Sequence, residues 1–264
     1  QGGIQGLPIE LVDLDGQVTN VEAAMTKACT EVFAMVGGGF AQDQLEFSGN
    51  AGSDFHECAL IDIPAFAVSI EKSLSNGKVE PLPNPADKVS TQWVRDFKQL
   101  YPDETKKLAI VYGELPSMAT VAAQFNAAAE KEGVNVVDEI SYPIIGADDW
   151  GPYADLVIDS GATSVYWIGE PSNAANLSQK LHEKGWEGVI LHQTNAYDAV
   201  LFSFGNDGVE GSVLRTAFHP FEEADKWPAI QQYEDMLAEI PDAKTAALGL
   251  QAMSAWLLFS VAAD

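Results

Sequence analysis

The chain has 264 residues and carries 39 acidic residues against 14 Lys and Arg, which gives a formal net charge of −25. Hydrophobic residues make up 47% of it, so the composition is that of a globular protein and excludes a disordered chain. The charge disfavours nucleic acid and anionic membranes as partners. The acids are spread along the chain, which favours a solvated surface over a cation-binding role. No apolar run reaches the roughly 18 residues that a membrane-spanning helix needs.

The first 66 residues alternate between strand and helix patterns. Turn material at the start leads into a strand over 9–14, a helix capped by Thr19 or Asn20, a strand over 33–37, a short helix over 41–51 and a strand over 59–66. Alternation at this spacing predicts a parallel, doubly wound sheet. The opening turn is then the end of a preceding βα unit, which we expect the chain to lack.

A segment rich in Pro, Asn and Gly, 75–87, predicts a crossing between domains, and the alternation restarts after it. The elements predicted beyond it are helix 88–99, strand 107–113, helix 117–132, strand 134–142, helix 150–159, strand 163–169, helix 172–184, strands 188–193 and 210–218, and helices at about 223–239 and 243–263. The chain is therefore predicted to form two lobes. Lobe I has its first part over 1–84 and a return part over 217–264, and lobe II spans 85–216.

Ligands of doubly wound sheets bind at the carboxyl ends of the strands. The loops predicted there are 37–43, 64–69, 113–117, 169–172 and 192–197. Enzyme motifs are missing from them, because Gly37–Gly39 lacks the rest of a phosphate loop and Ser117 lies outside a nucleophile elbow. The four histidines share no metal spacing, and Asp148 and Asp149 are predicted to cap a helix. His192 stands at a strand end, where a ligand contact and a structural role are both open.

Six segments follow one another in an order typical of a known family. They are "GGIQGLPIELVDLD", "FAMVGGGFAQD", "IDIPAF", "LAIVYGE", "GADDWGPYADLVIDSGATSVYWIGE" and "GVEGSV". The series resembles the branched-chain amino-acid-type substrate-binding proteins of ABC transporters, which have the type I periplasmic-binding-protein fold. The resemblance implies α/β architecture with two doubly wound, parallel-sheet lobes joined by a hinge. Family members extend further at both ends, so the resemblance also implies a trimmed chain with an incomplete lobe I.

The resemblance implies an extracytoplasmic protein, periplasmic or on the cell surface, with a lipid anchor as one option. Such a protein captures an amino-acid-like, amide, aromatic or other organic solute for an ABC permease. It implies a monomer, no enzyme activity, no cofactor and no metal. The alternative is the ligand-sensing domain of a receptor or regulator with the same fold, which a basic DNA-binding head would distinguish. An enzyme on a flavodoxin-like sheet would need a catalytic constellation, which the loops lack.

The two cysteines, Cys29 and Cys58, allow two free thiols or one disulfide. An exported setting favours the disulfide. Cys29 also lies on the helix before strand 33–37, and Cys58 lies just before the strand that begins at 59. We therefore predict the disulfide.

The ligand site is predicted between the lobes, on the strand-end loops of both. Its residues are Phe40, Ala41, Gln42, Ala65, Phe66 and Ala67 on one side and Glu114, Ser117, Glu170, Thr194, Asn195 and Tyr197 on the other. In amino-acid binders of the family, hydroxyls in the first two loops hold the ligand carboxylate and an acid in the last holds the ammonium. By this resemblance, Ala41, Ala67 and Thr194 occupy the corresponding positions in this sequence. An ordinary α-amino acid is therefore not the first ligand that we expect.

Glu170 is the leading candidate for a ligand contact. A carboxylate in a closing cleft is costly to desolvate unless it meets a partner, and a cationic or hydrogen-bond-donating ligand group is such a partner. The alternative is that Glu170 caps the helix that begins in "EPSN".

Overall fold

A computed structural model describes residues 3–17, 20–43, 58–82, 87–205 and 207–264. They form two compact units, unit 1 from Gln1–Lys88 with Leu248–Asp264 and unit 2 from Val89–Ala247. Each unit has helices and one parallel sheet, which confirms the predicted α/β class. None of the helices in the described ranges combines the length and apolarity needed to span a bilayer.

The helices and strands have the following bounds. The helices are α1 (Val21–Glu31), α2 (Ile70–Ser73), α3 (Gln92–Leu100), α4 (Pro116–Lys131), α5 (Gly151–Asp159), α6 (Pro171–Glu183), α7 (Pro228–Ala238) and α8 (Ala247–Ala263). The strands are β1 (Ala34–Val36), β2 (Ile61–Ile63), β3 (Leu108–Gly113), β4 (Val136–Tyr142), β5 (Ser164–Ile168), β6 (Val189–His192) and β7 (Val213–Leu214). Short 3₁₀ helices lie at Glu104–Lys106, Thr194–Ala196, Ala199–Phe202 and Phe221–Lys226.

The sheet of unit 1 pairs β1 with β2, and helix α1, which precedes it in the chain, has a buried stripe. Ala34 pairs with Ile61 in the parallel register. The stripe consists of Val21, Ala24, Met25 and Ala28, whose spacing is that of one helix face. The predicted disulfide is confirmed: Cys29 of α1 is bonded to Cys58, with their Cα atoms 5.4 Å apart.

The sheet of unit 2 has five parallel strands in the order β4-β3-β5-β6-β7. The central strand β5 is buried along its whole length, as expected where helices cover both faces of a parallel sheet. On one face, Val165 and Trp167 pack in a core with Leu177 of α6. On the other face, the Tyr166 ring lies 3.8 Å from that of Phe125 in α4, measured between centroids.

Three predicted elements differ from the structure. Residues 9–14 are not a strand, and Leu11 is 74% exposed. An alternating pattern produces a strand only where a neighbouring backbone pairs with it, and no described residue pairs with this segment. In the predicted helix 41–51, residues 41–43 are not helical and the remainder lies outside the described residues. The predicted strand 210–218 is reduced to β7, which pairs with Leu191 and His192 at the sheet edge.

The segment 217–247 groups with unit 2, and Leu248–Asp264 join unit 1. Two contacts with the loop after β6 hold the segment there. The Phe221 ring stacks on Tyr197 with centroids 4.6 Å apart, and Ala246 forms an antiparallel bridge with Asp198. The predicted return to lobe I over 217–264 stays a prediction.

Candidate functional site at the strand ends

Glu170 follows β5 in unit 2 and occupies the N-cap position of α6. Its side chain makes no capping hydrogen bond. Burial raises the pKa of the Glu170 carboxyl, and the negative charge of Asp198 raises it further. Both influences disfavour the ionised form, so keeping the Glu170 carboxylate charged costs free energy.

The loop after β6 lies against the loop that contains Glu170. The side-chain amide of Asn195 donates to the carbonyl oxygen of Gly169 at 2.7 Å. Asp198 stands three residues further on, and its carboxylate accepts from Val200 N at 2.7 Å. The structure thus brings Glu170 and Asn195, both predicted, together with Asp198, which was not. Asp198 directly follows the predicted loop in "HQTNAYD", and its acidic side chain was the available signal.

The other residues predicted in unit 2 make their contacts elsewhere. The Tyr197 hydroxyl donates to Glu222 at 2.5 Å and accepts from Phe221 N at 2.8 Å. Glu114 accepts from the Ser141 hydroxyl at 3.1 Å, at the end of β4. Ser117 is buried in the first turn of α4, and Thr194 opens a 3₁₀ helix.

Aromatic rings lie beneath the Glu170 loop. The ring of Tyr142, the last residue of β4, stacks on Trp167 with centroids 4.9 Å apart. A Cβ at Gly169 would overlap the Tyr142 hydroxyl and lie 3.3 Å from the Trp167 ring. Only glycine lets the chain pass over this stack just before Glu170.

His192 is buried inside unit 2, with 1% of its surface exposed. It pairs in register with Trp167, and neither ring nitrogen has a hydrogen-bond partner among the described residues. Burial lowers the pKa of His192 to about 4, so the ring is neutral near pH 7. The burial of His192 favours a structural role over a ligand contact.

The two strand-end loops of unit 1 continue the ladder between β1 and β2. Ala65 N donates to Gly38 O at 2.7 Å, just beyond the paired residues. The Phe66 ring packs on Gly39, where a Cβ would come within 2.5 Å of a ring carbon. Phe40 packs on Gly16 in the same way. Of the other residues predicted here, Ala65 and Ala67 are buried, and Ala41 and Gln42 are partly buried.

The described residues hold no group of three or more His, Cys, Asp and Glu side chains placed to bind a metal ion. The strand ends instead present single carboxylates, amides and aromatic rings. These groups accept hydrogen bonds and cover apolar surface, as binding sites for small molecules do.

The model of the periplasmic binding protein family matches residues 1–264. The chain belongs to this family. Its solved relatives include a leucine binding protein from Thermotoga maritima, at 18% identity and a TM-score of 0.79 over 99% of this chain and 73% of that one. The resemblance inferred from the ordered sequence segments is therefore confirmed. A comparison with curated proteins finds no match.

Two further solved structures share the fold of this periplasmic binding protein. A fatty acid ABC transporter substrate-binding protein from Thermomonospora curvata is 19% identical, with a TM-score of 0.73 over 97% of this chain and 65% of that one. An ABC-transporter solute binding protein from Rhodopseudomonas palustris, in complex with 3,4-dihydroxybenzoic acid, is 17% identical, with a TM-score of 0.71 over 99% and 71%.

Proposed function

We propose that this periplasmic binding protein captures a small organic solute outside the cytoplasm and delivers it to the permease of an ABC importer. The match of the family model to residues 1–264 carries the proposal. The names of the structural relatives, which mention leucine, a fatty acid and 3,4-dihydroxybenzoic acid, support an organic solute of modest size. A lipid anchor and a monomeric state belong to the proposal as well.

Glu170 is the proposed centre of solute recognition in unit 2. Its carboxyl is largely withdrawn from water, makes no capping bond and has an acid for an electrostatic neighbour. A cationic or hydrogen-bond-donating solute group would supply the partner that this carboxylate lacks. Asn195, which already bonds to Gly169, would line the same place.

The remaining predicted contacts belong to the same proposal. In unit 1 these are Phe40, Ala41, Gln42, Ala65, Phe66 and Ala67, and in unit 2 they are Glu114, Ser117, Thr194 and Tyr197. The hinge crossings near 84–85 and 216–219 also remain predictions.

A thermal-shift screen of the full-length protein tests the proposal, because a bound solute stabilises the folded state by mass action. Suitable probes are L-leucine, octanoate, 3,4-dihydroxybenzoate, agmatine and benzamide. A probe present at about 100 times its Kd adds about 2.7 kcal/mol to the free energy of unfolding. We expect agmatine or benzamide, which donate hydrogen bonds, to raise the Tm more than the anions do. If no organic solute raises it, the proposal fails.

Glu170→Gln then tests the proposed contact by isothermal titration with the probe that binds most tightly. We expect the affinity to fall at least tenfold, which corresponds to about 1.4 kcal/mol. The matched control is Glu183→Gln, an acid on the same helix that is paired with Lys180 at 2.6 Å. An affinity unchanged within about twofold in Glu170→Gln would show that Glu170 does not contact the solute.

A further inference from the structure

Asp43 lies in the loop that follows β1, and its side chain reaches the loop that follows β2. One carboxylate oxygen accepts from Val68 N and the other from Ser69 N, each at 2.7 Å. The Ser69 hydroxyl donates in return to the carbonyl oxygen of Asp43 at 2.6 Å. Three hydrogen bonds therefore join two loops that are 25 to 26 residues apart in sequence, and Asp43 is only 1% exposed.

We propose that Asp43 is a positioning residue that locks loops 37–43 and 64–69 of unit 1 into one rigid surface. This inference rests on the proposed function, because these loops carry Phe40 and Phe66, the aromatic contacts proposed for the solute. The bond from Ala65 N to Gly38 O joins the two loops close to the strands, and the Asp43 side chain joins them further along, at Val68 and Ser69.

The chemistry of the link requires a carboxylate. Two backbone N–H groups point at one side chain, and only a carboxylate offers an acceptor oxygen to each of them. Asparagine would present an NH₂ group to one of these donors, and a shorter hydroxyl would serve only one. A single substitution therefore separates the loops without deleting any backbone.

Keeping the buried Asp43 carboxylate ionised costs free energy. Burial raises the pKa of Asp43, and this outweighs the lowering by its bonds to Val68 and Ser69 and by the charge of Lys72. Lys72 is itself buried and paired with Asp62 of β2, and its backbone N–H donates to the Ser69 hydroxyl at 3.1 Å. The link is thus built into a buried polar network, and such networks hold one geometry when their members are satisfied.

Amide hydrogen exchange tests the lock directly in the full-length protein. Asp43→Asn is compared with Glu80→Gln, which changes a largely buried acid of unit 1 that is paired with Lys78 at 3.1 Å and lies outside both loops. We expect the amide hydrogens of Val68 and Ser69 to exchange at least tenfold faster in Asp43→Asn. In Glu80→Gln they should stay within about threefold of the wild-type rates once both variants are matched for global stability by urea unfolding. Equal acceleration in both variants would overturn the proposal.

Ser69→Ala keeps the test decisive if Asp43→Asn does not fold. It removes the return bond from the hydroxyl and leaves the carboxylate in place. We expect faster exchange at Val68 as well as at residue 69, because the lock acts on both loops. Acceleration confined to residue 69 would contradict it.

The probe that binds most tightly in the thermal-shift screen separates the lock from its role in binding. We expect Asp43→Asn to weaken the affinity for this probe at least tenfold and Glu80→Gln to leave it within threefold. Faster exchange with unchanged affinity would overturn the positioning role. If none of the five probes binds the wild type, the proposed solute classes fail, and the exchange comparison still decides whether Asp43 locks the loops.

Discussion

Glu170 and Asp198 act on each other across two strand-end loops of unit 2. Burial raises the pKa of Glu170, and the charge of Asp198 adds to this effect. Two acids that interact at the ends of adjacent strands leave one of them ready for a proton or a cation. We therefore expect the pair to affect both the stability of the protein and the proposed recognition of a solute.

Glu170→Gln should make the solute-free protein more stable at pH 7. The folded pKa of Glu170 lies above its ordinary value, so the neutral form is favoured by folding. The contribution of neutral Glu170 to the free energy of unfolding is complete below the pKa that this group has in the unfolded chain. It is lost as the pH rises through the pKa that the group has in the folded protein. Glutamine stays neutral throughout, so the variant should gain at pH 7 and match the wild type near pH 4 in urea unfolding. A less stable variant at pH 7 would refute this account.

His192 should cause a loss of stability in mild acid. Burial lowers its pKa from 6.5 to about 4, so the unfolded chain takes up a proton first as the pH falls. The free energy of unfolding should drop by about 3 kcal/mol between those two values. His192→Leu should remove most of this dependence of the unfolding free energy on pH. Tryptophan fluorescence during urea unfolding measures it. His182→Gln, on α6, is the control, and a slope that survives in His192→Leu would disprove the assignment.

Gly169→Ala should destabilise unit 2 by about 1–3 kcal/mol, since the new methyl group overlaps the Tyr142 hydroxyl in a packed stack. Tyr142→Phe removes the overlapping oxygen, so the double variant should lose less than the sum of the single losses. Gly38→Ala is the control, because a Cβ there meets nothing within 4 Å. Additive losses in the double-mutant cycle would show that the hydroxyl is not the obstacle.

The Cys29–Cys58 disulfide closes a loop with a sequence separation of 29. Its loss in Cys29→Ser/Cys58→Ser should cost about 3–4 kcal/mol in the chain-entropy model. Mass spectrometry after alkylation should find no modified thiol in the native protein and two after reduction. Two modified thiols without reductant would contradict the bond.

The sequence predicted unit 2 closely and unit 1 less well. Strand 163–169 and helix 172–184 differ by only one or two residues from β5 and α6, because a buried apolar run and a Gly-Glu-Pro turn mark both elements. The segment 9–14 shows what a local sequence pattern leaves out. Its alternating pattern is genuine, yet a strand also needs a neighbour, and a local pattern contains no information on that neighbour.

The candidate site shows the same limit at the level of single residues. Glu170 was predicted because its loop ends a strand, which is a local property. Asp198 and Asp43 were not, because their importance comes from contacts with residues far away in sequence. Such contacts depend on how the strands are ordered in the sheet and on where each loop turns, so the residues of one loop cannot reveal them.

The two units also differ in how the chain is threaded through them. Unit 2 is one continuous stretch, Val89–Ala247, whereas unit 1 joins Gln1–Lys88 to Leu248–Asp264. During synthesis, all residues of unit 2 are available before α8 is complete, so the sheet of unit 2 can form before unit 1 is assembled. Unit 1 is incomplete until α8 has been made. Its folding also has an entropy cost, because it brings together segments that are separated by the whole of unit 2. The part of the protein that carries Asp43 and the disulfide thus depends on a segment that is made after all of unit 2.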